Sequence, residues 1–173
     1  MKHLGLIIVC FVAMMGSSQA QQRYGFVDTD YILNKMPDYK NAQEQLDQIS
    51  TSWQVEIETI TGEIKELQTK FRADEVFLSS EMREKREKEI YSKEVTAQKL
   101  QQKYFGINGD LYKKRQELIK PIQDDIYDAI KEIAKDGTYG MIIDRANGPT
   151  IIYGNQKFDL SDKVLYKLGI RTN

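Results

Sequence analysis

The sequence predicts an α+β chain that is mostly helical, with a long antiparallel helical hairpin, an arm, set on a small β body. Three observations predict it. From Asp38 to Asp136 the chain keeps a helical pattern with a single proline, Pro121. That pattern lapses near Phe77-Leu78-Ser79-Ser80, which divides it into an outgoing and a returning helix. Short β-rich runs lie only outside the stretch, at Tyr24–Val27, Met141–Ile143 and Thr150–Tyr153.

The first twenty of the 173 residues are not expected to join the fold. Lys2 and His3 make a basic start, Leu4 to Met15 is apolar, and Ser18 and Ala20 are small residues at the positions that precede a cleavage. This is the pattern of a secretory signal cut after Ala20, so the mature chain is expected to be exported. The apolar run is too short to span a bilayer. Cys10 invites a lipoprotein reading, but bulky Val9 precedes it and the apolar run continues through it.

Loss of residues 1–20 removes the only cysteine, Cys10, and the only histidine, His3. Disulfide stapling, thiol nucleophiles, Ser-His triads and His- or Cys-ligated zinc are then excluded. No cofactor or metal is expected, and no catalytic residue. Carboxylates are abundant, but they lie along solvated helix faces, and neither a phosphate loop nor a nucleophile elbow is present. The chain is not expected to be an enzyme. The formal net charge of −1 becomes −2 without Lys2, so there is no basic field that would point to nucleic acid.

Element by element, Tyr24-Gly25-Phe26-Val27 reads as a strand. Asp28 or Thr29 can cap a short helix bearing Tyr31, Ile32 and Leu33, which ends before Pro37. Pro37 suits the first position of the next helix, with Asp38 opposing its dipole. The outgoing helix shows Leu46, Trp53, Ile60 and Leu67 at steps of seven, with Ile49, Ile57, Ile64 and Phe71 as a second seam. Steps of three and four sustained this long describe a coiled-coil stripe. Beyond Val76-Phe77-Leu78, Ser80 can cap the returning helix. Its charges from Arg83 to Lys93 are mixed in sign at helical spacing, as on a solvated face.

The returning stripe uses Ile90, Tyr104, Ile107, Leu111, Leu118, Ile122, Ile126, Ile130 and Ile133. Gly106 and Gly109 interrupt it at about 1 kcal/mol each, as a bend, a close helix contact or a tolerated weakness. Residues 37–79 and 80–120 are nearly equal in length, and at 1.5 Å per residue each reaches about 65 Å. Pro121 thus falls where the returning helix meets the body and can kink it there.

After Asp136-Gly137, Met141–Ile143 and Thr150–Tyr153 flank Asn147-Gly148 and read as a β-hairpin. Ser161 can cap a last helix with Val164, Leu165 and Leu168, stopped at Gly169. The body is then residues 21–36 and 137–173, the arm residues 37–136, with 121–136 packing on the body. So small a body is marginal alone, which argues for association through its strands. The candidates for that contact are Phe26, Val27, Met141, Ile142, Ile143, Ile151, Ile152 and Tyr153.

The order of these elements resembles the Skp/OmpH family of periplasmic chaperones over essentially the whole mature length. Phe26-Val27-Asp28, Ile32-Leu33-Asn34 and Pro37-Asp38-Tyr39-Lys40 carry the resemblance at the start. Met141-Ile142-Ile143-Asp144, Tyr153 and Asp159-Leu160-Ser161 with Val164 and Leu168 carry it at the end. The resemblance implies a homotrimer shaped like a jellyfish, three arms enclosing a cavity below a shared β body. It also implies an ATP-independent holdase that shields unfolded outer-membrane β-barrel proteins. Members can be strongly basic with positive arm tips, whereas this tip is mixed in sign. That puts contact with membrane lipid or lipopolysaccharide in question and makes capture by charge weaker and salt-limited.

Client contacts would be apolar residues that a two-helix arm cannot all bury: Phe71, Val76, Phe77, Leu78, Met82, Tyr91 and Phe105. The competing reading is a structural or adaptor coiled coil of the envelope that binds one folded partner.

Overall fold

The computed structural model describes residues 22–146, 148 and 151–171. The expected leader, residues 1–20, lies outside them. In chain order the elements are β1 (Arg23–Val27), α1 (Thr29–Lys35), α2 (Pro37–Asp74), a 3-10 turn (Glu75–Phe77), α3 (Ser80–Phe105), α4 (Asp110–Asp136), β2 (Tyr139–Asp144), a second 3-10 turn (Gln156–Phe158) and α5 (Ser161–Lys167).

β1 ends in three buried residues, Gly25, Phe26 and Val27. It pairs in parallel with β2, from Tyr24 against Met141 to Val27 against Asp144, with a register shift between Arg23 and Tyr24. Parallel strands need a crossover, and here the crossover is the entire arm. The expected hairpin is therefore corrected. β2 takes its partner from the start of the chain, and Ile151–Tyr153 form no strand. The Asp144 carboxylate accepts from Thr29 N–H, Thr29 Oγ and Ala146 N–H, which turns the chain at the end of β2. Asn147 and Thr150 of the expected turn lie outside the described residues.

Asp28 caps α1, accepting from Tyr31 N–H at 2.9 Å. Met36 is extended (φ −81°, ψ 121°) ahead of Pro37, which takes the first helical position of α2. α2 runs for 38 residues, about 57 Å at 1.5 Å per residue. Only Ala42, Leu46 and Ile64 are buried on it; Ile49, Trp53, Ile57, Ile60, Leu67 and Phe71 are half-buried. A helix with one neighbour covers one stripe and leaves its shoulders wet.

Three expectations on the returning side are corrected. The cap of α3 is Ser79, which is extended and accepts from Met82 N–H at 3.3 Å, while Ser80 is already helical. The helix breaks at Gly106–Gly109 and runs unbroken through Pro121. Pro121 and Glu117, whose carbonyl loses its partner, are both exposed, so water can satisfy that carbonyl. Ile107, expected in the seam, lies in the break and is 94% exposed.

One core joins the two ends of the chain. Ile119, Ile122, Ile126, Ala129 and Ile133 line one face of α4 at helical spacing. They pack with Val27, Ile32, Met36, Ala42 and Leu46 from the beginning and Leu160, Val164 and Leu165 from the end. Burial on α4 thus begins at Ile119, just ahead of Pro121. Ser161 does not cap α5, whose N-cap is Leu160 without a side-chain bond. Its hydroxyl is buried and fully engaged elsewhere: it donates to Asp159 at 2.6 Å and accepts from Asp28 N–H at 2.9 Å. α5 stops at Gly169 (φ +80°), where Ile170 N–H donates to Leu165 O.

Candidate functional site

The arm tip gathers a group of exposed apolar side chains. Asp74 to Leu78 leaves the α-helix for a 3-10 turn, which presents Val76 and Phe77 outward, 84% and 87% exposed. Leu78 is half-buried beside them, and Met82 is exposed on the first turn of α3. Arg83 holds the turn, donating to Glu75 O at 3.0 Å with the Glu75 carboxylate at 3.6 Å. Phe71 is half-buried on the last turns of α2.

The other candidates do not join that group. Tyr91 is exposed further down α3, where Lys93 meets Glu63 at 2.6 Å and Gln68 donates to Glu94 at 2.8 Å. Phe105 lies at the inner end of α3. It is half-buried edge-on to Trp53 and Tyr104, at 6.5 Å from each. Trp53 and Tyr104 stack at 4.5 Å, and the Tyr104 hydroxyl donates to Glu56 at 2.9 Å, which raises the tyrosine's pKa. This aromatic group spans both sides of the arm just beyond the Gly106–Gly109 break. Heptad spacing placed Trp53 and Tyr104 in the seam; their stacking has no sequence signal.

Of the body candidates, Phe26 and Val27 are buried in the chain's own core. Ile142, Ile143 and Ile151 are half-buried, while Met141, Ile152 and Tyr153 are exposed, Ile152 at 98%. Beside β1 an open groove of about 1440 Å³ is lined by Tyr24, Phe26, Ile143, Ile151, Tyr153 and Phe158, among others. β2 is hydrogen-bonded to β1 alone among the described residues.

Sequence reading did not find the polar knot above the core. Arg145 pairs with Asp28 at 3.1 Å and with Asp159 at 3.6 Å. Asp159 also accepts from Ser161 N–H, and Leu160 N–H donates to Phe26 O. The Tyr31 N–H, joined by Arg145, holds the Asp28 carboxyl below its ordinary range against the opposing effect of burial. On the outer side, Lys167 donates to Glu132 at 2.6 Å, tying α5 to α4; the contact lowers the Glu132 pKa and raises that of Lys167. Among the described residues no group of three His, Cys, Asp or Glu side chains is placed to hold a metal, and no helix is long and apolar enough to cross a membrane.

The chain and its fold are similar to known proteins. Residues 23–168 match the family model described as outer membrane protein (OmpH-like). The chain is 25% identical over 166 residues to the chaperone protein Skp of Vibrio cholerae, covering 94% of this chain and 92% of that one. The crystal structure of a putative outer membrane chaperone (OmpH-like) from Caulobacter crescentus has the same fold, with a TM-score of 0.70 at 13% identity over 90% of this chain and 88% of the other. The chain therefore belongs to the OmpH-like family, a family of chaperones and not of enzymes.

Proposed function

We propose that this chain is a periplasmic, ATP-independent holdase that binds unfolded outer-membrane β-barrel proteins and keeps them from aggregating. The observation that carries the reading is the tip. Val76 and Phe77 stand almost wholly in solvent at the end of a helix 38 residues long. Unfolded barrel proteins expose apolar surface and unpaired strand edges, which aggregate. A holder of such chains needs many weak apolar contacts, spaced so that two clients are kept apart. Phe71, Leu78, Met82, Tyr91 and Phe105 extend the contact down the arm, and the thioether of Met82 adapts to varied partners. The chain's similarity to the chaperone protein Skp of Vibrio cholerae and to the OmpH-like chaperone of Caulobacter crescentus supports the same reading.

The chain works as a homotrimer in this proposal. Its support is the exposed Met141, Ile152 and Tyr153, the groove beside β1 and the second edge of β2, all on the body. Bare apolar side chains beside an open strand edge invite another chain.

The test is to dilute a urea-unfolded β-barrel protein into buffer with the purified chain and follow turbidity. One trimer per client is expected to suppress aggregation. No suppression at that ratio sinks the proposal, and tight binding to one native envelope protein with indifference to unfolded chains would support the adaptor instead. Light scattering tests the assembly independently, and a monomer would contradict it.

A further inference from the structure

The turn between α3 and α4 holds a chemical feature that client binding does not use. Gly109 N–H donates to Gly106 O at 2.8 Å, which closes a four-residue turn with Ile107 and Asn108 at its corner. Asn108 is exposed and non-helical, and a glycine follows it. That order matters because glycine has no side chain to shield its nitrogen from the preceding asparagine. We propose that Asn108 is a site of spontaneous deamidation, a covalent modification built into the break in the arm.

The step balances with water alone. The Gly109 nitrogen attacks Asn108 Cγ, a bond forms between them, and the bond from Cγ to Nδ2 breaks. Nδ2 leaves as ammonia, taking the proton of the Gly109 amide. Water then opens the five-membered succinimide at either carbonyl, leaving aspartate or isoaspartate. The isoaspartate adds one carbon to the backbone of the turn.

Two features of the structure set the course of the reaction. The first is a brake. Gly109 is buried, and a Cβ built on it would lie 2.8 Å from Tyr104 O and 2.9 Å from both Gly106 N and Lys103 O. Its amide must leave the bond to Gly106 O before it can attack, so conversion waits on opening of this one turn and not on unfolding of either helix.

The second favours the product. The N-cap of α4 is Gly109, without a side-chain hydrogen bond, whereas Asp28 and Ser79 cap α1 and α3 with theirs. The first N–H groups of a helix lack partners within it. A new carboxylate next to that cap meets the positive end of the helix dipole. Deamidation thus brings an anion to a long helix whose cap makes no side-chain hydrogen bond, and stiffens the start of α4.

The test is a tryptic map of the full chain aged at mildly alkaline pH, either folded in buffer or unfolded in urea. Cleavage after Lys103 and Lys113 isolates Asn108 from the other Asn-Gly pair of the sequence, Asn147-Gly148. The peptide is expected to gain the mass difference between amide and acid in both samples, several-fold more slowly when folded, with isoaspartate detectable in it. No conversion in the folded chain, over a time in which the unfolded chain converts by half, would overturn the proposal. A mass gain in this peptide that persists in Asn108→Ser would overturn it equally. Asn108→Asp, the mimic of one product, is expected to slow hydrogen exchange at the first-turn amides of α4; unchanged or faster exchange overturns the capping consequence.

Discussion

The body and the arm of this molecule are built on opposite principles. In the body, residues far apart in sequence meet. Val27, Ile133 and Leu165 are among the side chains with almost no exposure, and Arg145 joins Asp28 to Asp159. In the arm, charged contacts are mostly local. Its ion pairs are mostly three or four residues apart on one helix, such as Glu84 with Lys88 and Lys120 with Asp124. Its seam is half-buried over most of its length. The difference teaches where stability and function separate: the body holds the fold with contacts the arm lacks, and the arm keeps apolar surface in water that the body could have used.

The sharpest way to break that contrast is to truncate one side chain in each region. Leu165→Ala removes a side chain with no exposure from the core, and about 2–5 kcal/mol of stability should go with it. Ile60→Ala, half-buried in the seam, should cost well under half as much. Denaturant melts of both variants decide; equal losses would mean that the arm is as tightly built as the body.

Glycines give the next effect, with opposite signs inside the arm itself. Gly109→Ala puts a Cβ within 3 Å of three backbone atoms and should destabilise by roughly 1–3 kcal/mol. Gly62→Ala, exposed in mid-helix with nothing within 4 Å, should stabilise by about 0.5–1 kcal/mol. A neutral or stabilising effect of Gly109→Ala would mean that the break at Gly106–Gly109 is not held by close backbone packing.

Acid probes the body through Asp28. The Asp28 pKa is lowered, chiefly by the Tyr31 N–H, so the fold favours its ionised form. That stabilisation is complete above the ordinary value of 3.8 and is lost as pH falls through the lowered folded value. Asp28→Asn keeps a comparable cap but gives up the ion pair with Arg145, so it should reduce stability near neutral pH by no more than about 1 kcal/mol, and should flatten the acid limb of the stability profile. An unchanged acid limb would remove Asp28 from the account.

The smallest effect on stability belongs to the tip. Val76→Ser with Phe77→Ser should shift stability by no more than about 0.5 kcal/mol per site, since neither side chain is packed. Aggregation suppression should nevertheless fall. Lost stability with unchanged suppression would reverse the assignment of roles.

Local features were legible in the sequence. Heptad steps found the arm, Pro37 and Asp28 marked helix starts, and Gly169 marked the last stop, each through a cause within a few residues. The misses have non-local causes. β2 pairs with β1 across the whole arm, which no turn signal can announce, so Met141–Ile143 looked like half of a hairpin. Pro121 looked like the kink because its local cost is real. Burial of Ile119, Ile122 and Ile126 on the same helix keeps it helical there, and the break falls at the glycines. The candidate site divides in the same way. Val76, Phe77 and Met82 were legible as apolar residues at a turn, while the placing of Phe105 against the Trp53–Tyr104 stack, away from the tip, had no sequence signal. Three of the residues that carry the family resemblance, Asp28, Asp159 and Ser161, turn out to be joined, with Arg145, in one polar network.

The central claim is that clients are held by the arm and not by the body. Phe77 at the tip and Tyr166 on α5 are both large and strongly exposed, so a photo-crosslinking residue placed at each in turn compares the two regions directly. With an unfolded β-barrel protein present, the account predicts crosslinks from position 77 and few from position 166. Equal crosslinking from both, or crosslinks from position 77 only to a folded partner, would contradict it.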